Sequence, residues 1–286
     1  MKSSNPIFAR SGFTRSPDRA YTDADRLQPT GVGSTVDHTV NPYAADGRIR
    51  LVKDETADRA TMTVDDVVVR TASTLGTVAL TAVLSWLLLP VDEAGIGRSY
   101  GIAVAAALVA FVLSLVQAFK RSPSPALILG YAAFEGVFLG VISSATSTYI
   151  APGVVVQAVL GTFAVSAGVL IAYRMRWIRV TRRFYGFVLA SAAGFLLLTV
   201  ANLLFSAFGA GDGLGFSSGG LGVVFGVVGI LLGACFLALD FKQVEDAIAY
   251  GAPRDESWLA AFGLTMTLVW IYLEALRVLS ILQSDN

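Results

Sequence analysis

Among the ionisable residues within the long apolar stretches of this chain, four could carry chemistry: Glu135, Asp240, Glu274 and Arg277. Glu135 lies nine residues into the run 126–149. At roughly 1.5 Å per helical residue that is about 14 Å, near the middle of a hydrocarbon layer about 30 Å thick. An isolated charge at that depth costs several kcal/mol, so such a carboxyl is protonated, paired or beside a wet cavity. It is either a proton or cation site or a neutral acid bonding a neighbouring helix. Asp240 follows the apolar run LLGACFLAL and opens DFKQVEDA, which places it at the inner mouth of a helical bundle. Its competing reading is an ordinary interfacial aspartate beside Lys242. Glu274 and Arg277 are spaced i,i+3, share a helix face and can pair. They form a lock or a gate, or simply neutralise each other while Arg277 snorkels to the interface. Three carboxylates in one apolar helical domain have the composition of a proton or cation pathway.

The elements that hold these residues are membrane spans. A helix of about 20 apolar residues crosses the hydrocarbon core, and backbone amides there must be satisfied within the helix. Seven runs qualify: 67–90, 99–119, 126–149, 152–173, 184–208, 219–241 and 259–282. Pro90, the Ser-Pro-Ser-Pro run at 122–125, Ala-Pro-Gly at 151–153 and the Gly-rich segment 209–220 divide them. Charged residues make up 15% of the 286, against about 25% in soluble domains. The chain therefore reads as an all-α polytopic membrane protein, with a seven-helix domain over 67–286. Residues 1–66 form a polar tail with 9 Lys/Arg and 10 Asp/Glu and no run able to bury a core. Such a segment is expected to be disordered and cytosolic. Docking of its start through Pro6, Ile7, Phe8 and Phe13 is the alternative.

Basic residues in short loops set orientation. With the N-terminus inside, the inner loops carry Lys120, Arg121, Arg174, Arg176, Arg179, Arg182, Arg183, Lys242 and Arg254, and the outer loops carry only Arg98. The C-terminus then lies outside. The basic loop 174–183, with Trp177 as a headgroup anchor, fits anionic lipid; nothing else in the sequence supports nucleic acid as a partner.

Several chemistries are disfavoured. The one cysteine, Cys235, has no partner for an intrachain disulfide, and the one histidine, His38, lies in the tail. Ser143, Ser144 and Ser166 lack a basic partner within the membrane. The GAGD string at 209–212 resembles the Gly-x-Gly-Asp of intramembrane aspartyl proteases but has no partner aspartate on the preceding span. No nucleotide-binding loop is present and no cofactor is implied. Gly222-x-x-x-Gly226 and Gly229-x-x-x-Gly233 read as close helix packing. The chain is expected not to be an enzyme.

Three segments resemble the Bax inhibitor-1 family, also called the transmembrane Bax inhibitor motif family: FEGVFLG at 134–140, LDFKQ at 239–243 and WIYLEALRVL at 270–279. The opening MKSSNPIFAR is similar to bacterial, actinobacterial members, which implies a bacterial inner membrane. The resemblance covers about residues 67–282. It implies six helices around a central seventh, and a pH-sensitive calcium leak in which an aspartate on the sixth helix and one on the seventh sense protons. Asp240 matches the first. With Arg277 aligned to the family arginine, the second position falls at Thr267, which cannot titrate. A rebuilt sensor would draw on Glu135 or Glu274. Some bacterial relatives restrain a membrane-bound protease, so the resemblance implies two functions: a calcium or proton leak gated by carboxylate protonation, or an interaction protein regulating a protease or stress response.

Overall fold

The computed structural model describes residues 61–92, 95–120, 122–208, 214–216 and 218–284. Pro6, Ile7, Phe8, Phe13, Arg121 and the GAGD string fall outside the described residues. Seven helices follow in order: α1 (Val64–Leu88), α2 (Ile96–Phe119), α3 (Pro125–Tyr149), α4 (Val154–Arg174), α5 (Arg182–Ala207), α6 (Gly219–Ala249) and α7 (Glu256–Ser284). All seven are long and apolar enough to cross a bilayer. The described residues contain no strand, only an isolated bridge between Thr61 and Pro253.

Local chemistry sets the ends. Thr63 and Asp66 form a reciprocal capping box that starts α1, satisfying two orphan amides at once. Thr181 caps α5 by accepting from the Phe184 amide. Pro125 opens α3, where its missing N–H costs nothing. Gly153, at φ +89°, makes the left-handed turn into α4.

α6 differs most from its expected span. It runs to Ala249 rather than 241 and has 31 residues, about 46 Å at ~1.5 Å per residue. The added turns are polar and self-supporting: Lys242 reaches Asp246 at 2.7 Å, and Tyr173 of α4 donates to Glu245. Hydropathy marks where lipid ends, whereas a helix ends at a breaker, here Gly251 at φ +68°. Asp240 therefore sits within a continuous helix, nine residues before its end.

α7 is the hub. It packs on α1, α3, α4 and α6 and meets α5 where Phe195 lies 5.7 Å from the Trp270 ring, while α2 rests mainly on α3 and α5 mainly on α6. Ile271, Thr265, Ala261 and Ser257 of α7 are wholly buried. α1 and α3 meet through Gly136 and Gly140. A Cβ on Gly136 would overlap Thr81 Oγ1 and the Val78 carbonyl, and one on Gly140 would overlap Ser85 Oγ and the Ala82 carbonyl. This is the close approach that small residues four apart permit. The Ser85 hydroxyl then donates across to the Val137 carbonyl at 3.1 Å.

Residues 61–66, read from sequence as the end of the tail, are fastened to the α6–α7 loop. Met62 is buried and its amide donates to the Ala252 carbonyl at 2.9 Å. Arg254 pairs with Asp66 at 2.7 Å. Arg70 donates to the Arg254 carbonyl at 2.6 Å and stacks over Trp258, 5.1 Å from the ring centre.

Candidate functional site: two polar faces of the central helix

The apolar length of α7 is broken by polar residues on two opposed faces. The first looks toward α6. There the Thr267 hydroxyl donates to Asp240 Oδ2 at 2.6 Å. Gly263, one turn earlier on α7, leaves room beside the other oxygen: a Cβ there would stand 3.6 Å from Asp240 Oδ1. Trp270 donates its indole N–H to the Gly229 carbonyl at 3.2 Å. Further along, Arg277 reaches Glu274 at 3.4 Å. Arg277 also donates to the Phe216 carbonyl and lies over the Phe225 ring at 5.3 Å. Its charge is thus met by a carboxylate, a carbonyl and an aromatic face.

The glycines of α6 make this face possible. A Cβ on Gly229 would come within 2.8 Å of Glu274 Cδ, and one on Gly233 within 2.7 Å of Ile271 Cγ1. Gly226 similarly admits Val278. The packing expected of the two glycine motifs is present, and its working stripe is Gly226, Gly229 and Gly233. Glu274 occupies space that a methyl group would fill.

The second face looks toward α1 and α3. Thr265 and Thr74 share a hydroxyl bond of 2.7 Å. Tyr272 and Ser143 share another of 2.6 Å, and Ser143 also donates to the Leu139 carbonyl. Glu135 lies on α3 between Tyr131 and Leu139, one turn from each. Tyr131 meets Phe262 of α7 edge-on at 5.1 Å, and Leu139 clusters with Val269. Glu135 is half-buried, and it makes no hydrogen bond or ion pair with a described residue.

The structure therefore brings Glu274 and Arg277 together, and gives Asp240 a partner in Thr267. It keeps Glu135 apart from Asp240: α3 and α6 do not touch, and α7 stands between them. Sequence reasoning missed the Thr74–Thr265 and Ser143–Tyr272 pairs, because a hydroxyl inside an apolar run can always bond its own helix backbone. It also passed over Gly136-x-x-x-Gly140 as a packing motif, although that spacing was legible. Among the described residues no three His, Cys, Asp or Glu side chains converge as a metal site would need.

A family model described as Bax inhibitor 1 like matches residues 5–284. The chain belongs to the Bax inhibitor 1-like family. A search of curated proteins finds no match. For this Bax inhibitor 1-like chain the expected contact between the sixth and seventh helices is present, with a threonine where the resemblance implied a second acid. It is an integral, multi-pass membrane protein.

Proposed function

We propose that this protein is a slow, non-enzymatic leak for calcium or protons, closed by the contact between Asp240 and Thr267. The single observation that carries the reading is that contact. It ties α6 to the hub helix through one carboxylate with one neutral hydroxyl donor. A charged acceptor strengthens such a bond to about twice that of a neutral one. Protonation of Asp240 removes that gain and shifts the balance between closed and open arrangements. Because no three acidic side chains converge among the described residues, a passing cation meets Asp240 and Glu274 singly along the α6–α7 face, with Glu135 on the other side of α7. That suits passage better than storage. Glu274 and Arg277 brace α7 against α6. We place the N-terminus in the cytosol and the C-terminus outside, with Arg174, Arg176, Arg179, Arg182 and Arg183 on anionic headgroups of a bacterial inner membrane.

The test is flux of calcium, read by an entrapped indicator, into proteoliposomes between about pH 6 and about pH 8. Wild-type flux should change with pH, and Asp240→Asn should fix it at one level. Absence of flux, or flux unaltered by Asp240→Asn, would refute the latch. It would favour the second reading, a regulator of a membrane-bound protease or stress response. One observation favours that reading: α7 stands between Glu135 and Asp240, so the two carboxylates do not share one lumen.

A further inference from the structure

Between α1 and α4 a crevice of about 730 Å³ opens sideways from the bundle. Leu75, Gly76, Val83 and Trp86 form one wall, Val159 and Phe163 the other. The two walls do not touch each other, while α3 and α7 close the floor. The polar side chains of its lining are Ser143 and Tyr272, which bond each other at 2.6 Å, Thr162, which donates to the Ala158 carbonyl at 2.8 Å, and the indole of Trp86. The crevice thus offers almost nothing to water, which needs two to four polar partners.

Its dimensions select an occupant. From Leu75 to Leu87 the α1 wall is about 18 Å long at ~1.5 Å per residue. One leaflet of hydrocarbon is about half of ~30 Å, or roughly 15 Å. The crevice has the length of a single leaflet and an apolar lining, whereas a transmembrane helix would need a groove across both leaflets. We infer that it is a binding slot for a phospholipid acyl chain, held against α1, α4 and α7. The lipid enters from the leaflet that contains the C-terminal end of α1. The slot shares Tyr272 and Ser143 with the polar floor, so a seated chain presses on the hub helix from the side opposite Asp240.

Gly76 supplies the test. It lines the slot, and a Cβ built on it meets nothing within 4 Å, so Gly76→Phe fills the slot without displacing backbone. The purified full chain is reconstituted with phosphatidylcholine bearing a diazirine midway along one acyl chain, irradiated, and digested for mass spectrometry. Adducts should concentrate on residues 75–87 and 155–163. Gly76→Phe should lose most of them, while Leu108→Phe, on the exposed face of α2, should keep them. Equal melting temperatures of the variants show that the fold is retained; if Gly76→Phe does not fold, Val159→Trp narrows the slot from the α4 side and is read identically. Adducts spread evenly over α2 and α5, or unchanged in the filled variant, overturn the proposal. So does a disulfide-linked dimer of Val83→Cys protein with no lipid adduct on either wall, which would assign the crevice to a second copy.

Discussion

Thr267 donates its hydroxyl to Asp240 at 2.6 Å, so the position that resemblance assigns to a second acid is held by a residue that cannot ionise. A pair of acids can share one proton and lose that link when both ionise. A threonine keeps donating whatever the state of its partner, and only the strength of the bond changes. At this contact α7 supplies a hydroxyl, and Asp240 is the one carboxylate.

Thr267→Val should therefore lower stability by about 1.5–3 kcal/mol, the range for hydrogen bonds to charged groups. Thr267→Ser should stay within about 1 kcal/mol of wild type, since it keeps the hydroxyl and loses only a methyl group. Thermal melting in detergent measures both. A valine variant as stable as wild type would remove the contact from any account of gating. Thr267→Asp should steepen the pH dependence of flux by adding a second titrating group.

Arg277→Leu should cost more than Glu274→Gln. The arginine joins Glu274, the Phe216 carbonyl and the Phe225 ring, and its loss leaves a carboxylate whose side chain is only 14% exposed. Breaking a buried pair by removing one partner costs about 3–5 kcal/mol when fully buried, and about half of that is expected here, because the arginine is 29% exposed. Comparison of the two melting curves decides it; equal values in both variants and wild type would argue against pairing.

Gly229→Ala should destabilise by about 1–3 kcal/mol through overpacking against Glu274. Combining it with Glu274→Ala should recover part of that loss, because the second change vacates the space the methyl needs. A double-mutant cycle should give a coupling of about 0.5–3 kcal/mol. At Gly136 the obstacle is the Val78 backbone carbonyl, so Gly136→Ala should prevent folding, while Gly161→Ala, which meets nothing within 4 Å, should be neutral or stabilising by up to about 1 kcal/mol.

Orientation has its own check. With Cys235 replaced by alanine, an impermeant maleimide added to intact cells should label Arg98→Cys and Leu214→Cys but not Arg179→Cys. All three native side chains are exposed. The opposite pattern would invert the topology and place the arginine-rich loop outside.

The seven helices were legible because a bilayer imposes one length and one chemistry on every span, and runs such as 126–149 have no other use. The Glu274–Arg277 pair was legible because its i,i+3 spacing is local. The placement of Glu135 and Asp240 was not, because the rotation of each helix about its axis depends on packing, and hydropathy carries no record of it. The end of α6 was misplaced by eight residues for a related reason: lipid leaves a signature in the sequence, and the polar turns from Lys242 to Ala249 left only the distant Gly251 as a stop.

The hub is also made after the other six described helices. Domains assemble from the N-terminal side as synthesis proceeds, so α1, α3, α4 and α6 enter the bilayer before the helix that all four pack against exists. Until then Thr74 lacks Thr265 and Asp240 lacks Thr267. α1, α2 and α3 can pre-assemble through Gly136 and Gly140, and α5 can dock on α6, but the two halves have almost nothing to say to each other. Arrival of α7 closes them in one event. Synthesis of α7, not any earlier step, sets the moment at which the described helices come together.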